Sequence, residues 1–234
     1  MGPATRADRR RHLATTAEFF GPRAAGWEER FPDDGPSYRR AITELAPPAG
    51  GVAVDAGCGT GRALPALREA VGRGGVVVGV DITPAMLAEA TRLGRDRAAA
   101  LVRADTDELP LADGAADVIF AAGLLPHCPD PVGGLIELAR VTRPGGRLAI
   151  FHPIGRQALA ARHGRVPSDD DVVAPARLTP ALEAAGFSLI FVDDSEERYL
   201  ALAERGVATG PQAGTASTKA RAASRNRKSR GVPK

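Results

Sequence analysis

Short apolar runs alternate with helix-like stretches through the middle of the chain, and this alternation constrains the fold more than any other feature. β-branched runs occupy residues 52–55, 76–81, 117–121 and 147–152, with a poorer one at 100–104. Continuous apolar runs of this length are typical of strands buried on both faces of a parallel sheet. Strands that alternate with helices predict an α/β fold, a doubly wound sheet with helices on both faces.

Three helix starts are marked by a polar side chain followed directly by proline. They are Thr83–Pro84, Asp130–Pro131 and Thr179–Pro180. The polar residue can cap the helix, and a proline at the first helical position loses no hydrogen bond. We expect Gly186 to end the third helix, and the sequences FSLIFVDD and RYLALAE behind it predict two closing strands.

The sequence VDAGCGTG, from Val54 to Gly61, follows the first predicted strand. Glycine is favoured where φ is positive, or where a side chain would hold the backbone away from a ligand. The N–H groups at the start of the next helix favour an anionic group. The spacing is G-x-G-x-G, whereas the dinucleotide fingerprint is G-x-G-x-x-G. This difference alone does not exclude a dinucleotide.

Acidic residues follow the first three predicted strands. Asp55 ends the first strand, and Asp81 ends the second in VVVGVD, where it can accept hydrogen bonds from both hydroxyls of a ribose. Dinucleotide-binding proteins share that feature. Asp105 ends the third strand in ALVRAD, where a carboxylate can accept a hydrogen bond from an adenine amino group. The three acids therefore predict an adenosine-containing ligand along one edge of the sheet.

Together these motifs resemble the class I S-adenosylmethionine-dependent methyltransferases. VDAGCGTG resembles their first motif, GVDITPAML their second, and RADTDELPLADGAADVIFAAGLLPH their third and fourth. LIELARVTRPGGRLAIFHP resembles the helix, Pro-Gly-Gly turn and fifth strand that follow. The match spans roughly residues 40–205 and is closest to the small-molecule branch, the relatives of the ubiquinone and menaquinone methyltransferases. It implies a Rossmann-like seven-stranded sheet with the last strand antiparallel, and S-adenosylmethionine as cofactor.

The resemblance also implies a role for each residue along the edge of the sheet. The methionine end of the cofactor would lie beside Asp55, Gly57, Cys58 and Gly59. Asp81 would hold the ribose with Ile82 against the adenine, whose edge would meet Asp105 and Thr106. Backbone near Ala122 and Gly123, at the end of the fourth strand, would face the sulfonium and its methyl group.

Methyl transfer requires few catalytic groups from the protein. The methyl group of a sulfonium is already activated, so transfer needs mainly the in-line approach of the acceptor and the exclusion of water. The segment GLLPHC lacks the Asn/Asp-Pro-Pro-aromatic signature of nucleic-acid amino-methyltransferases and the aspartate of metal-dependent catechol enzymes, so we expect no metal. His127, beyond the fourth strand, and His152, at the end of the fifth, are the candidate catalytic bases. Each is also compatible with a structural histidine bonded to backbone.

Three functions fit these observations. The leading one is methyl transfer to a small molecule. The second is a catalytically inactive, cofactor-binding regulatory protein with a polyanion-binding tail, and the third is a nicotinamide oxidoreductase. The intact glycine loop and acids favour the enzyme over the inactive protein, and Asp105 together with the fourth motif disfavours the oxidoreductase.

The two ends of the chain differ from its middle. Residues 1–40 carry much of the aromatic content and predict a helical cap, either a lid over the ligand or a cover for the sheet edge. Residues 41–205 form the predicted cofactor-binding domain. Residues 206–234 predict a disordered basic tail with weak nucleic-acid contacts at most. The last 30 residues hold eight Lys or Arg and no acid, which leaves 23 basic against 28 acidic residues elsewhere.

Cysteine usage and hydropathy indicate the setting of the protein. Cys58 and Cys128 match no metal-ligand spacing and favour a reducing compartment. No apolar run approaches the roughly 20 residues of a membrane span. We therefore expect a cytoplasmic monomer, without a membrane partner, that acts on a small-molecule substrate.

Overall fold

The computed structural model describes residues 6–30 and 34–207, with side chains from residue 11 onward. Within these ranges the helices are α1 (Arg6–Phe20), α2 (Trp27–Arg30), α3 (Gly35–Leu45), α4 (Leu64–Val71), α5 (Pro84–Arg92), α6 (Pro131–Val141), α7 (Arg156–Arg162) and α8 (Pro175–Ala184). The strands are β1 (Val52–Ala56), β2 (Val76–Asp81), β3 (Ala100–Arg103), β4 (Ala116–Ala122), β5 (Thr142–His152), β6 (Phe187–Asp194) and β7 (Tyr199–Arg205). Nearly all of the predicted basic tail lies outside the described residues. In the part of the chain described, every helix is too short or too polar to cross a membrane.

The seven strands form one sheet in the order β3-β2-β1-β4-β5-β7-β6. The first five run parallel, and β7 is antiparallel to both β5 and β6. The predicted doubly wound sheet with an antiparallel last strand is therefore confirmed. Because the chain crosses from β3 to β4 beside β1, the strand order reverses between β1 and β4. Open parallel sheets bind ligands beyond the carboxyl ends of the strands at such a switch point.

Alternate residues of the strands supply two separate cores. Val54 and Ile119 face one side of the sheet, where α6 and α8 cover them. Ala53 and Phe120, their direct neighbours in sequence, face the other side, where α3 and α4 cover them. Both faces of each central strand are buried, which explains the continuous apolar runs in the sequence. The carboxyl edge of the sheet is the part left for a ligand.

Two of the three predicted helix starts are confirmed. α5 begins at Pro84 and α6 at Pro131. Asp130 caps α6 through its side chain, whose Oδ1 accepts a hydrogen bond from Gly133 N at 3.0 Å. Thr83 makes no cap bond. Its hydroxyl is hydrogen-bonded to Asp81 instead, so this residue serves the edge of the sheet.

The third predicted helix start, Thr179–Pro180, is wrong. α8 begins five residues earlier, at Pro175, and Pro180 lies inside the helix. Ala174 precedes the first proline, and its carbonyl accepts hydrogen bonds from Leu178 N at 2.8 Å and from Arg177 N at 2.9 Å. Pro175 is therefore the proline at the first helical position, where its missing N–H costs nothing. α8 ends at Ala184, just before Gly186, whose φ of 87° fits the predicted stop.

Candidate functional site

The glycine loop after β1 is tied to β2 by its backbone. Gly57 N and Cys58 N both donate to Val80 O, at 2.8 and 2.9 Å. Gly57 has a φ of 73°, and a Cβ there would lie 3.0 Å from Leu124 Cδ1. Gly59 has a φ of 54°, and a Cβ there would meet only Met86 Sδ, at 4.0 Å. Gly57 is thus required by conformation and packing, whereas Gly59 is required by conformation alone and leaves open space above the loop.

Cys58 contributes to this loop as a small buried side chain. Burial raises the pKa of its thiol well above the ordinary range, and the nearby Asp55 and Asp81 raise it further. The thiol therefore stays protonated and is a poor nucleophile. A ligand in the loop would meet the backbone of Cys58 rather than a thiolate.

Asp81 closes β2 and organises the loop. Its Oδ2 accepts a hydrogen bond from Gly59 N at 2.8 Å, and its Oδ1 accepts one from Thr83 N at 2.7 Å. Burial raises the pKa of this carboxyl, while the hydrogen bonds from Thr83 and Gly59 lower it. Each carboxylate oxygen can accept a second hydrogen bond. Asp81 is half-buried at the edge of the sheet, so both oxygens can also accept from the hydroxyls of a ribose.

Asp55, next to Asp81, carries one carboxyl oxygen that lacks a hydrogen-bond partner among the described residues. Its side chain is 1% exposed, and its Oδ1 makes no hydrogen bond to the described residues. Burial raises the pKa of Asp55 to about 8, and the charge of Asp81 adds to the shift. A buried oxygen without a donor costs about 1–3 kcal/mol. The ammonium group at the methionine end of S-adenosylmethionine is a hydrogen-bond donor whose charge is opposite to that of a carboxylate. The residues present therefore fit this cofactor.

The residues expected around the adenine lie after β2 and β3. Ile82 directly follows β2 and is half-buried. β3 ends at Arg103, so Asp105 stands in the following turn and not at the end of the strand as predicted. Its Oδ1 accepts a hydrogen bond from Asp107 N at 3.0 Å, a local turn that competes with continued strand pairing. The hydroxyl of Thr106 hydrogen-bonds to Cys128 and thereby joins this turn to the segment after β4.

Ala122 and Gly123 lie at the end of β4, where the methyl group is expected. Ala122 is the last residue of the strand and is half-buried. Gly123 has a φ of 65°, and its N–H donates to Phe151 O at 2.8 Å. A Cβ at Gly123 would meet nothing within 4 Å. The backbone is therefore bare at this point and open to a bound molecule.

A small cavity of about 50 Å³ opens beside Gly123, between the ends of β4 and β5 and helix α7. Its lining is almost wholly apolar and includes Leu124, Phe151 and Leu159. The polar side chains that line it are His152, Arg156 and Tyr199. Tyr199 donates its hydroxyl to Val173 O at 2.7 Å. A small apolar molecule in this cavity would lie next to the position expected for the methyl group.

His152, at the end of β5, is the candidate base that lines this cavity. Its Nδ1 lies 2.9 Å from Ile154 O and 3.2 Å from Ile154 N. Nδ1 accepts from Ile154 N in one tautomer and donates to Ile154 O in the other, and the second tautomer leaves Nε2 unprotonated. Burial lowers the pKa of His152, so the ring is neutral at neutral pH. Both features suit a general base.

His127 lies outside the cavity lining, in the 3-10 turn Leu125–His127 that follows β4. Its ring packs edge-on against Phe20 of α1, with the ring centres 5.0 Å apart. Its carbonyl oxygen contacts Nε2 of His12, also on α1. Burial of one face and the neighbouring His12 lower the pKa of His127. The two candidate bases thus lie in different surroundings, and His127 connects the cap to the sheet edge.

Glu28, a residue that the sequence analysis did not single out, joins the N-terminal cap to the glycine loop. Its Oε1 accepts hydrogen bonds from Thr60 Oγ1 at 2.6 Å and from Arg62 Nε at 3.1 Å. Its Oε2 accepts one from Arg95 Nη2 at 3.2 Å. Arg62 also binds Asp34 at 3.0 Å. The only signal in the sequence was an acid among the aromatic residues before β1.

Tyr38, on α3, is a second residue that sequence reasoning missed. Its ring packs on Phe151 and Phe120, with ring centres 4.9 and 5.9 Å away. Burial raises the pKa of its hydroxyl above the ordinary range, and the nearby Asp55 raises it further. The Tyr38 hydroxyl therefore belongs to the surroundings of Asp55. Its neighbours are far apart in sequence, so no local motif marks it.

Comparison with known proteins agrees with this geometry. Residues 54–150 match the family profile described as a methyltransferase domain. The chain is 37% identical over 136 residues to a malonyl-[acyl-carrier protein] O-methyltransferase of Pectobacterium atrosepticum. The aligned region covers 57% of this chain and 51% of that protein. It is 38% identical over 120 residues to a demethylmenaquinone methyltransferase of Shouchella clausii, and the aligned region covers 48% of this chain and 49% of that protein. The chain thus spans about half the length of these two relatives.

A solved structure supports the fold. A SAM-dependent methyltransferase from Aquifex aeolicus matches 71% of this chain and 88% of its own, with a TM-score of 0.57 and 24% identity. The glycine loop, the acids behind β1 and β2 and the start of β5 all fall within the matched profile. The sheet order and the site agree with these similarities, and residues 54–150 of the chain match a methyltransferase domain.

Proposed function

We propose that this protein transfers the methyl group of S-adenosylmethionine to a small, largely apolar acceptor. The observation that carries the proposal is the apolar cavity beside Gly123, the bare backbone position at the end of β4. An apolar molecule bound there would present its reactive atom at the switch point of the sheet, where the cofactor's methyl group is expected. Small-molecule sites are typically pockets with an apolar lining and a few polar groups.

The cofactor side of the proposal rests on hydrogen-bonding capacity. Asp55 offers a buried oxygen without a donor, and Asp81 offers two oxygens at the edge of the sheet. The loop at Gly59 leaves space for the methionine end. Bound here, S-adenosylmethionine supplies a methyl group on a sulfonium, which is electrophilic without further activation.

His152 is the proposed general base when the acceptor atom carries a proton. Its Nε2 can take the proton of a hydroxyl or an amine while Nδ1 stays bonded to Ile154. An acceptor without such a proton would need positioning alone, and His152 would then only contact it. His127 is proposed to hold α1 over the sheet edge through Phe20.

The N-terminal segment is proposed to act as the lid of this site. It is joined to the glycine loop by Glu28, to the surroundings of Asp55 by Tyr38, and to the segment after β4 by Phe20. These contacts follow the carboxyl edge of the sheet from the cofactor side to the acceptor side. Such a cover would keep water away from the methyl group during transfer.

Two experiments test the proposal in sequence. The first measures binding of S-adenosylmethionine, S-adenosylhomocysteine and NAD by calorimetry, and we expect the first two to bind and NAD not to bind. The second incubates the protein with S-adenosylmethionine and a panel of small molecules and looks for a mass increase of one methylene unit. Binding of NAD in preference to S-adenosylmethionine would contradict the cofactor assignment. Cofactor binding with methylation confined to macromolecules would contradict the acceptor class.

A further inference from the structure

Residues 6–30, the part of the N-terminal cap ahead of α3, bridge the edge of the sheet; we call them the outer cap. The 3-10 helix Gly21–Gly26 packs against α5, which begins just beyond the end of β2. Glu28 bonds to the glycine loop after β1, and Phe20 packs on His127 beyond β4. A cofactor held at the ends of β1 and β2 would therefore lie beneath the outer cap, with these contacts on three sides of it.

Glu28 attaches the outer cap through partly buried, charged hydrogen bonds. Its Oε1 accepts from Thr60 Oγ1 at 2.6 Å and from Arg62 Nε at 3.1 Å, and its Oε2 accepts from Arg95 Nη2 at 3.2 Å. Its carbonyl oxygen also accepts from Arg62 Nη2, at 3.3 Å. Thr60 is 1% exposed and the Arg62 side chain 11%, so water competes little for these bonds. One carboxylate therefore joins the outer cap both to the glycine loop and to the turn after α5.

The outer cap differs from α3, the helix that follows it, in how it is held. Ile42 and Leu45 of α3 are at most 2% exposed and belong to the core. Among the described side chains of the outer cap, Ala24 alone is buried. A segment with so little buried apolar surface separates from its domain at low cost once its polar contacts break. The outer cap can therefore open while α3 stays in place.

The apolar cavity beside Gly123 does not share this cover. Its lining is drawn from residues 123–199, on the segments that follow β4 and β5, on α7 and at the start of β7. An acceptor can thus reach the cavity while the outer cap stays closed. Opening of the outer cap concerns the cofactor half of the site.

We propose that the outer cap gates exchange of the cofactor and that Glu28 is its latch. S-adenosylmethionine enters and S-adenosylhomocysteine leaves only after Glu28 has released Thr60, Arg62 and Arg95. The inference rests on the proposed function and adds a kinetic property to it. Because the same bonds hold the outer cap before and after binding, the latch slows entry and exit alike and leaves the equilibrium affinity nearly unchanged. Glu28 is thus a positioning residue and not a ligand contact.

Association and dissociation rates of labelled S-adenosylhomocysteine, measured by rapid filtration on the full chain, test the gate. Glu28→Gln keeps the size of the side chain but weakens its charged hydrogen bonds. Both rates should rise about tenfold, while the dissociation constant changes by less than about twofold. Glu29→Gln, at the exposed neighbour on α2, is the matched control and should leave both rates unchanged.

Arg95→Gln weakens the latch from the opposite side and guards against a local effect of the first variant. Both rates should rise here as well, and the double variant with Glu28→Gln should be little faster than the faster single variant, since both remove the same contact. Trp27, the one tryptophan of the chain, stands next to Glu28 and reports opening directly. Acrylamide should quench its emission more strongly in Glu28→Gln than in Glu29→Gln.

The pattern of rates separates a gate from other roles. Faster dissociation with an unchanged association rate would mean that Glu28 supports the bound ligand itself, and it would overturn the gate. Unchanged rates in both Glu28→Gln and Arg95→Gln, or equal quenching of Trp27 in the two glutamate variants, would overturn it too. Failure of the wild type to bind S-adenosylhomocysteine would count against the proposed cofactor instead.

Discussion

The cofactor half and the proposed acceptor half of the site are built in different ways. The cofactor half lies at the ends of β1 and β2, where Gly57, Gly59 and Asp81 are held by backbone hydrogen bonds within a short stretch of sheet. The acceptor half lies at the ends of β4 and β5, where side chains of α7 and β7 complete an apolar cavity. A shared cofactor can be recognised by backbone and a few acids. An acceptor that differs between relatives requires side chains from variable segments.

The electrostatics of the two halves differ as well. The cofactor half gathers Asp55 and Asp81 side by side, and burial, together with repulsion from Asp81, raises the pKa of Asp55. In the acceptor half Arg156 is balanced by Asp171 and Asp194, so the charge is compensated within the protein. Ionising Asp55 in the cofactor half is therefore unfavourable, and a bound cationic group would offset that energy. The corresponding cost in the acceptor half is much smaller.

The largest expected effect is the pH dependence of the empty cofactor half. The pKa of Asp55 is raised to about 8 in the folded protein, above an unfolded value of about 4, so the folded state binds the extra proton between these values. Stability should therefore fall as the pH rises from about 4 to 8 and then level off. Relative to Asp55→Asn, the wild type should lose up to about 5 kcal/mol of unfolding free energy over this range.

Denaturant unfolding of the cofactor-free protein at pH 5 and pH 8.5 should show about 4 kcal/mol of this loss. The Asp55→Asn variant is the control, since it keeps the shape of the side chain and removes its titration. Equal pH profiles for the two proteins would show that Asp55 is ionised at neutral pH and that the cofactor half is not strained.

The next effect concerns cofactor affinity alone. Asp81→Ala removes the carboxylate expected to accept from both ribose hydroxyls, and binding of S-adenosylmethionine should weaken by roughly 2–4 kcal/mol. Asp96→Ala, at an exposed acid in the turn after α5, should leave the affinity unchanged. Calorimetry measures both, with melting curves to show that the variants fold. Unchanged affinity in a folded Asp81→Ala protein would show that Asp81 does not bind the ribose.

A smaller effect belongs to the acceptor half. His152→Ala should reduce turnover about 100-fold, the scale of general acid–base catalysis, while cofactor affinity stays the same. His127→Ala is the matched control, because that ring faces Phe20 and not the cavity, and its turnover should change far less. Steady-state rates on the acceptor found by mass shift measure the difference. If neither variant loses turnover, positioning alone accounts for catalysis.

The smallest effect concerns the connection between the cap and the cofactor half. Glu28→Gln keeps the size of the side chain but weakens its charged hydrogen bonds with Arg62 and Arg95, so unfolding free energy should fall by about 1–2 kcal/mol. Glu29→Gln, at the exposed neighbour on α2, should have little effect. Thermal unfolding of the two variants side by side checks this. A cap that is independent of the glycine loop would leave both melting temperatures equal.

The same division explains what could be predicted from the sequence. Asp55, Asp81 and the glycines stand beside strands whose apolar runs are unmistakable, so their place on the sheet edge followed from local pattern. Glu28 and Tyr38 act through partners at Thr60 and Phe151, and no periodicity reveals contacts over such separations. The acceptor half could be predicted only at the strand ends, at Gly123 and His152, because no local pattern reveals that α7 packs beside them.

Two local errors have the same origin. Both Pro175 and Pro180 follow a residue able to begin a helix, and only the packing of Leu178 and Leu182 into the core decides in favour of the first. Asp105 was placed at the end of β3, but the strand stops at Arg103 because the side chain of Asp105 folds back to Asp107 N. In each case the sequence allowed two local structures and tertiary contacts selected one.

Transfer of a labelled methyl group tests the central claim most directly, because it requires both halves of the site at once. The protein is incubated with methyl-labelled S-adenosylmethionine and a pool of neutral apolar metabolites, and label is counted in the organic-solvent extract and in the aqueous, macromolecular fraction. We predict label in the organic extract with the wild type, almost none with Asp81→Ala, and strongly reduced label with His152→Ala. Label that stays out of the organic extract although the cofactor binds would contradict the account.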